Sequence, residues 1–526
     1  MIKMNNKGFA VSTILYGILS LTILILLLIF GVMKSNKDMN AGLVESLTDS
    51  MNKCAVLEIK LENCYLNGVD TCQTEKNAYE QCIPNKNDIS GEESLGPINR
   101  TKLKDKILSD NTAYADNVSS IYVSSSTGID FSAISNDTNG KGLYYTATNT
   151  EGNQPTYYFR GAVTNNIVQF GQDLTNASCM YNGQKVYRLG RATDGSSPEI
   201  REEEIYYETS CGVEGANLYE LCYNEWCSIV ENDGWYIGEI LDSGEYYTKA
   251  ELIPGAKASW EGTPLYWKIV RINEDGSIRL IYNGTSATAT GTSSVLSGTT
   301  AYAPATTAMN AYVGYMYGST NFGITYADTH ANTNFSKIKT VLDNWYFSNL
   351  ETKYEKYIAD SGFCNDRSLY SGTGIYNATT VYKGHNRIYT IDKPQFACPN
   401  PENDLFTLDE SGKGNEALSR PVGLLTADEA MYAGAIYNSA NSTYYLYNGV
   451  NYWTMTPQRY YSSSIRVFNM GSTGRIYYTN AGTSSSMYAR PVINLKEDVL
   501  LTDELPSGCT EQIGTASCPY VVDTTV

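Results

Sequence analysis

The longest uninterrupted apolar segment runs from Phe9 to Met33 and contains no charged residue. A helix that crosses a bilayer needs about 20 apolar residues, because each residue adds about 1.5 Å to its length. The pattern therefore predicts a transmembrane helix over residues 9–33. A cleavable secretory signal is the alternative, although its apolar core covers only about 7 to 15 residues.

Beyond this segment the spacing of apolar residues changes twice. Leu43 and Leu47 keep a helical period among charged residues, which predicts that the helix continues as an exposed stalk. From about residue 103 onward, short aromatic runs separated by Gly, Asn, Asp and Ser predict strands and turns. The clearest hairpin joins Tyr266–Ile272 to Ser277–Tyr282 around an Asn-Glu-Asp-Gly turn.

Two helices are predicted among these strands. The first covers about residues 336–360, where apolar residues share one face. The second begins after Thr426, whose hydroxyl can cap the helix while the Glu429 side chain returns a hydrogen bond. Strands and helices together place the chain in the α+β class.

All 12 cysteines follow the apolar segment. An even number with several short spacings indicates disulfides, which form in oxidising compartments, and we therefore expect the bulk of the chain outside the cell. A zinc site is the alternative, but the chain has only two histidines to serve as imidazole ligands. The expected pairs are Cys509 with Cys518, Cys364 with Cys398, and Cys222 with either Cys227 or the group of Cys179 and Cys211.

Composition adds two constraints. The net charge of -18 argues against a nucleic-acid or anionic-lipid partner, since phosphates require a basic surface. The 44 tyrosines greatly outnumber the 12 phenylalanines and 6 tryptophans. Tyrosine is enriched in binding surfaces, but it is also a good strand former, and composition alone does not separate these two roles.

The window from Asn441 to Tyr488 contains no Asp, Glu or Lys and is therefore locally basic on an acidic protein. Its Tyr, Ser, Asn, Gly and Arg content is typical of binding surfaces. The predicted ligand-binding residues are Arg459, Tyr460, Tyr461, Ser462, Ser464, Arg466, Asn469, Arg475, Tyr477, Tyr478, Asn480, Ser484, Ser485, Ser486 and Tyr488. No cofactor and no metal are expected.

Two segments resemble known families. The N-terminal MIKMNNKGF resembles a type IV prepilin leader, which implies cleavage between Gly8 and Phe9, although Thr13 stands where pilins usually carry Glu. The motifs YWTMTP, VFNMGSTG and ARPVINL, found between residues 452 and 495, resemble the variable region of C-type-lectin-like proteins diversified by retroelements. This resemblance implies a C-type-lectin-like head that displays a variable ligand surface. The motifs of calcium-dependent sugar binding do not occur, so calcium-mediated lectin activity is not expected.

The expected fold is therefore α+β, with a membrane and stalk helix followed by a β-rich C-type-lectin-like head that carries a disulfide-stapled insertion. The predicted boundaries are 1–8 for the leader, 9–33 for the membrane helix, 34–100 for the stalk and a Cys-rich knot, 101–172 for the start of the head, 173–260 for the insertion and 261–526 for the ligand-binding domain.

Motifs of the common enzyme classes are missing from the sequence, and with His330 and His385 as its only histidines the chain has little choice of general base. We therefore expect a binding protein rather than an enzyme, an adhesin or receptor held in a bacterial cell membrane by a single pass. Its expected partner is a protein or glycan on another cell, phage or host surface, with a pilus assembly as a further partner. Two alternatives remain: a minor pilin or envelope subunit, and a glycan-cleaving enzyme using carboxylates from Asp328, Asp343, Asp366 and Asp409.

Overall fold

The computed structural model describes residues 101–181, 184–185, 219–223, 226–230, 235–237, 251–253, 259–304, 309–318, 324–408, 412–483 and 485–524. The predictions of a leader, a membrane helix, a stalk and a Cys-rich knot fall on residues 1–100 and lie outside these ranges. Most of the predicted insertion at 173–260 lies outside them too.

Among the described residues, the largest sheet has nine strands, in the order β1-β2-β3-β10-β11-β21, with β4 pairing β10, β22 and β5. Its strands are β1 (Ala113–Ala115), β2 (Gly142–Thr146), β3 (Thr156–Arg160), β4 (Ile167–Tyr181), β5 (Gln184–Lys185), β10 (Ser259–Ile272), β11 (Ile278–Tyr282), β21 (Val492–Leu495) and β22 (Tyr520–Val521).

The predicted hairpin is confirmed as β10 and β11. Its turn is closed by hydrogen bonds from the Asn273 N–H to the Ser277 carbonyl at 2.8 Å and from the Gly276 N–H to the Asn273 carbonyl at 3.0 Å. Gly276 has a φ of 82°, a conformation that glycine adopts at little cost. All five residues of β11 are buried, because neighbouring elements cover both faces of this central strand.

A second sheet has five strands in the order β15-β16-β18-β19-β20. These strands are β15 (Leu369–Ser371), β16 (Thr380–Tyr382), β18 (Tyr452–Tyr461), β19 (Ser464–Met470) and β20 (Ile476–Asn480). Four two-stranded sheets complete the β structure of the described residues. They pair β6 (Tyr219–Tyr223) with β7 (Trp226–Val230), β8 (Trp235–Ile237) with β9 (Glu251–Ile253), β12 (Met316–Tyr317) with β13 (Asn334–Phe335), and β14 (Phe363–Cys364) with β17 (Leu405–Phe406).

The helices of the described residues are short. They are α1 (Leu103–Asp110), α2 (Tyr326–Thr329), α3 (Lys337–Tyr346), α4 (Thr352–Tyr354), α5 (Lys383–His385), α6 (Pro401–Asp404) and α7 (Ala427–Ala433), with π turns at Phe347–Glu351 and Asn386–Thr390. Helix α3 lies within the range predicted for the first helix. The predicted capping box of α7 is confirmed, since Thr426 Oγ1 accepts from the Glu429 N–H at 3.0 Å and Glu429 Oε2 accepts from the Thr426 N–H at 2.8 Å.

The predicted fold class is wrong. The described residues form a mostly β structure with few helices, rather than an α+β fold with a membrane or stalk helix and a C-type-lectin-like head. The physical reason is that period-2 aromatic and β-branched runs dominate the described chain, whereas helical periodicity persists only over short stretches.

The predicted single-pass localisation in a bacterial cell membrane is also overturned. Among the described residues, none of the helices has the length and apolar character that a bilayer crossing requires. Helix α3 has 10 residues, which rise about 15 Å against a hydrocarbon core of about 30 Å, and it carries Lys339 and Asp343. Segment 9–33, on which that prediction was made, lies outside the described residues.

Two of the predicted disulfides are confirmed. Cys364 pairs with Cys398 and Cys509 pairs with Cys518. Such bonds persist in oxidising compartments.

Arg490 connects the two larger sheets. Its fully buried guanidinium donates to the Tyr282 carbonyl of β11 at 2.8 Å and to the Leu446 carbonyl at 3.1 Å, and it lies over the Tyr452 ring of β18 at 5.1 Å. Beside it, buried Trp453 donates its indole N–H to the Thr300 carbonyl at 2.8 Å. These contacts attach the first residues of β18 to the core. The opposite end of the β18–β19 hairpin, where the chain turns, therefore extends from a rigid base.

Candidate functional site

The candidate site is built on the hairpin formed by β18 and β19. Its register pairs Tyr461 with Ser464 and Arg459 with Arg466. The two-residue turn consists of Ser462 and Ser463, with φ values of 50° and 57°. Positive φ at both central positions defines a type I′ turn, whose twist matches that of the paired strands and holds them in register.

Four side chains on one face of this hairpin and of β20 form a group that we call the Tyr–Arg face: Arg459, Tyr461, Arg466 and Tyr478. The Arg459 guanidinium lies 5.1 Å from the Tyr461 ring centroid and 5.7 Å from that of Tyr478. The Arg466 guanidinium lies 5.6 Å from the Tyr461 centroid and 5.1 Å from that of Tyr478. Each cation therefore contacts both rings, which is favourable by about 0.5 to 1 kcal/mol per contact at exposed sites.

The Tyr–Arg face is not neutralised internally. Within the ranges that the structure describes, neither Arg459 nor Arg466 lies within 4.0 Å of a carboxylate oxygen. The Arg459 Nε atom is also buried without a hydrogen-bond partner there. Because like charges at directly paired strand positions repel, the face carries a local excess of positive charge that an anionic group would relieve.

A row of rings extends the site beyond the Tyr–Arg face. We call it the aromatic row: Tyr478, Tyr477, Tyr437, Tyr389 and His385. The ring centroids of successive members lie 4.9, 6.4, 4.7 and 4.7 Å apart. Tyr389 is 52 % exposed, so its ring remains available for contact.

Three members of the aromatic row were missed by sequence reasoning. All three residues precede the locally basic window of residues 441–488: Tyr437, Tyr389 and His385. Each lies in a loop or a short helical turn and has no local pattern to distinguish it. Only the tertiary structure brings Tyr437 against β20, through its parallel bridge with Ile476. It also places the Tyr389 ring beside that of Tyr437, and the His385 ring beside that of Tyr389.

His385 lies at the junction of the aromatic row and the Tyr–Arg face. Its Nδ1 lies 2.6 Å from Nε2 of buried Gln458. Burial, and then the positive charge of Arg459, lower the pKa of His385. The imidazole is therefore neutral at physiological pH, and the positive charge of the site comes from its arginines.

The structure corrects two predicted site residues. Tyr460 is 1 % exposed and Asn469 is 2 % exposed, so neither reaches the surface. Tyr460 alternates with Tyr461 along β18 and points to the opposite, covered face. Asn469 accepts a hydrogen bond from the Thr479 hydroxyl at 3.0 Å and has an internal structural role.

The remaining predicted residues lie at or near the surface. Arg475 contacts the Tyr477 ring at 4.5 Å and donates to Asn438 Oδ1 at 3.2 Å, and the Asn480 amide donates to the Ser464 hydroxyl at 3.1 Å. Ser484 lies outside the described residues. Of the others, Ser462, Asn480, Ser485 and Ser486 are exposed, and Ser464, Arg475, Tyr477 and Tyr488 are half-buried.

A separate cavity is lined by charged side chains from several elements. Arg271 and Arg279 pair with Glu429 at 3.0 and 2.6 Å, and Arg387 pairs with Asp366 and Asp428, each at 2.7 Å. The two arginines lower the pKa of Glu429 against the effect of its burial. Glu429 is thus held ionised, and it does not offer the proton that a general acid requires.

Three of the four carboxylates predicted for the glycan-cleaving alternative lie in the described residues, and all three have structural contacts. Asp328 accepts the Thr325 N–H in the capping box of α2, Asp343 pairs with Lys339, and Asp366 pairs with Arg387. Asp409 lies outside the described residues. Of the three that are described, only Asp366 lines the charged cavity.

His330 is similarly structural. It stacks on the Tyr326 ring, and burial together with the charge of Arg367 lowers its pKa to about 3. Across the described part of the chain, the structure contains no group of three or more His, Cys, Asp or Glu side chains placed to hold a metal ion.

No protein-family model, no curated protein and no solved structure matches this chain.

Proposed function

We propose that this protein is a binding protein that recognises a protein or glycan ligand through the Tyr–Arg face and the adjoining aromatic row. The observation that carries the proposal is the arrangement of Arg459 and Arg466. They contact the same two tyrosine rings and have no carboxylate partner among the described residues.

The residue types support this proposal energetically. Tyr and Arg are enriched among the side chains that dominate binding energy, because each offers a large contact area together with polar groups. Tyrosine loses little conformational entropy on binding, since it has only two side-chain torsions. Here the rings are held further by contacts with each other and with the guanidinium groups, so the free protein already presents an ordered surface.

The position of the site on a sheet also supports binding. Residues on paired strands are held more firmly than residues on loops, and the type I′ turn fixes the register of β18 and β19. In contrast, arginines engage three carboxylates of the charged cavity, Glu429, Asp366 and Asp428. The geometry therefore favours recognition over catalysis.

Binding is tested with the full chain, presented to an array of glycans and to an array of bacterial and phage surface proteins. Tyr461→Ala and Tyr478→Ala are expected to lower the signal of the bound array members at least tenfold. The matched control is Tyr370→Ala, because Tyr370 is 57 % exposed on β15 at the opposite edge of the same sheet. If the control and the two test variants lose binding equally, or none loses it, the proposal fails.

We also propose that the exposed positions of the window 459–486 are those that vary in a retroelement-diversified family. Exposed Ser462 and Ser485 and half-buried Tyr477 tolerate exchange, whereas buried Ile465 and Val467 carry the core. The test is the DNA flanking the gene. A near-repeat of codons 455 to 495 that differs only at adenines is expected, and a reverse-transcriptase gene should accompany it. Differences spread over all four bases would contradict the proposal.

A further inference from the structure

Strand β20 forms one edge of the five-stranded sheet. At its first residue, the Ile476 N–H donates to the Ile436 carbonyl at 2.9 Å, and the Ile476 carbonyl accepts the Asn438 N–H at 2.9 Å. The backbone groups of Ile476 therefore point away from β19. The segment 436–438 covers this edge only at its start.

In an antiparallel pair, the backbone N–H and C=O groups of successive residues point alternately toward the partner strand and away from it. Because Ile476 points away from β19, Tyr478 and Asn480 must do the same, while Tyr477 and Thr479 pair with β19. The hydrogen bond from the Ala481 N–H to the Ile465 carbonyl at 2.9 Å agrees with this assignment. The N–H and C=O groups of Tyr478 and the N–H of Asn480 thus face the open edge.

These three groups have no backbone partner within the described ranges. The Asn480 carbonyl, by contrast, accepts the Thr483 N–H at 2.9 Å. Unpaired edge groups of this kind form the template on which an extended peptide adds as a further strand. A glycan lacks the regularly spaced N–H and C=O groups that would match them.

The charge beside this edge is positive. Arg475 contacts Tyr477 near the start of β20, and Arg466 is paired with Asn480 near its end. No Asp, Glu or Lys occurs between Asn441 and Tyr488, although the whole chain has a net charge of -18. The edge is therefore complementary to an acidic segment, while most of the protein surface would repel one.

We propose that the ligand is an extended acidic peptide segment that pairs with the open edge of β20 and becomes the sixth strand of the sheet. This inference rests on the proposed function and assigns its ligand class. The peptide continues the line begun by residues 436–438 and bonds to Tyr478 and Asn480. Its alternate side chains lie on the same side of the sheet as the Tyr–Arg face, where carboxylates meet the arginines.

The test measures binding of three labelled ten-residue peptides to the full chain by fluorescence polarisation. The first alternates Glu with Thr, the second has the same sequence with N-methyl groups on alternate backbone nitrogens, and the third alternates Lys with Thr. The Glu–Thr peptide is expected to bind. The Lys–Thr peptide is expected not to bind, and N-methylation is expected to weaken binding about tenfold or more because it removes several hydrogen bonds.

A matched pair of protein variants tests the edge itself. Asn480→Ala and Asn480→Pro both remove the amide side chain, but only proline removes the backbone N–H that faces the edge. Because this N–H does not bond to β19, proline is compatible with the strand pairing. Asn480→Pro is expected to bind the Glu–Thr peptide about fivefold more weakly than Asn480→Ala, the effect of one hydrogen bond. If Asn480→Pro fails to fold, the N-methylated peptide decides alone.

The outcomes separate this inference from the proposed function. Equal affinity for the N-methylated and unmodified peptides overturns strand addition. Binding of polygalacturonate without binding of the Glu–Thr peptide also overturns it, yet leaves the proposed function standing if Tyr461→Ala abolishes that binding. If Tyr461→Ala and Tyr478→Ala change no interaction of the protein, both proposals fail.

Discussion

Arg459 on β18 lies directly opposite Arg466 on β19, and the two guanidinium groups share contacts with the rings of Tyr461 and Tyr478. Opposed like charges destabilise a strand pair, and the ring contacts offset only part of that cost. A structural role would favour a carboxylate at one of these two positions. Two cations that no carboxylate neutralises among the described residues, on a rigid aromatic surface, instead favour a role in recognition.

This relationship predicts how the loss of Arg466 affects stability. Arg466→Gln is expected to leave the free energy of unfolding unchanged or to raise it by up to about 0.5 kcal/mol, because it removes a repulsion. The control is Arg367→Gln. Arg367 is buried and bonds to Asp404 at 2.7 Å, so its loss is expected to cost about 3 to 5 kcal/mol. Urea denaturation of both variants measures these changes, and a loss above 1 kcal/mol for Arg466→Gln would refute the interpretation.

Adjacent tyrosines on β18 are expected to behave differently. Tyr460 is 1 % exposed and Tyr461 is 48 % exposed. Tyr460→Ala creates a cavity and is expected to lower the free energy of unfolding by about 3 to 5 kcal/mol, whereas Tyr461→Ala should change it by less than about 1 kcal/mol. Thermal and urea unfolding of the two single variants check this. Similar losses in both would mean that Tyr461 also belongs to the core.

The turn between β18 and β19 offers a gain in stability. Ser462 and Ser463 hold positive φ values of 50° and 57°, a region that serine adopts at a cost. The double change Ser462→Asn and Ser463→Gly places the preferred type I′ residues there and is expected to stabilise the protein by about 0.5 to 1 kcal/mol. The denaturation midpoint should rise. A fall would show that the serine side chains have contacts that the turn geometry does not reveal.

Asp116 makes stability depend on pH. Burial raises the pKa of Asp116 to about 6, although the Tyr158 hydroxyl donates to its Oδ2 at 3.1 Å. Between about pH 4 and pH 6 the folded state keeps this proton and the unfolded state releases it, so the contribution of Asp116 to stability falls as pH rises. Asp116→Asn removes that change.

Urea denaturation at pH 4.5 and pH 7 measures the effect. The stability of Asp116→Asn relative to the natural chain should be higher at pH 7 than at pH 4.5. An equal difference at the two pH values would show that the carboxyl group has an ordinary pKa.

Several elements could be predicted from local sequence. The β10–β11 hairpin follows from alternating apolar residues around an Asn-Glu-Asp-Gly turn, and the start of α7 follows from the Thr426 and Glu429 capping box. Cys509 and Cys518 are close in sequence, which made their pairing predictable. These features depend on residues within a few positions of each other. The prediction of an α+β fold failed because fold class depends on the proportion of helix over the whole chain. Local patterns, each within a few positions, do not determine that proportion.

The candidate site shows where local information ends. The sequence by itself determined that residues 441–488 are locally basic and rich in tyrosine, and it predicted strands and turns from about residue 103 onward. Side chains alternate along a strand, so Tyr460 and Tyr461 point to opposite faces, although the sequence-based prediction assigned both to the ligand-binding set. Only the tertiary structure decided that the Tyr460 face is covered and the Tyr461 face is open. It also decided that Tyr437 lies beside Tyr477 and Tyr389 beside Tyr437. The physical reason is that periodicity defines two faces, whereas contacts from distant parts of the chain decide which of them is buried.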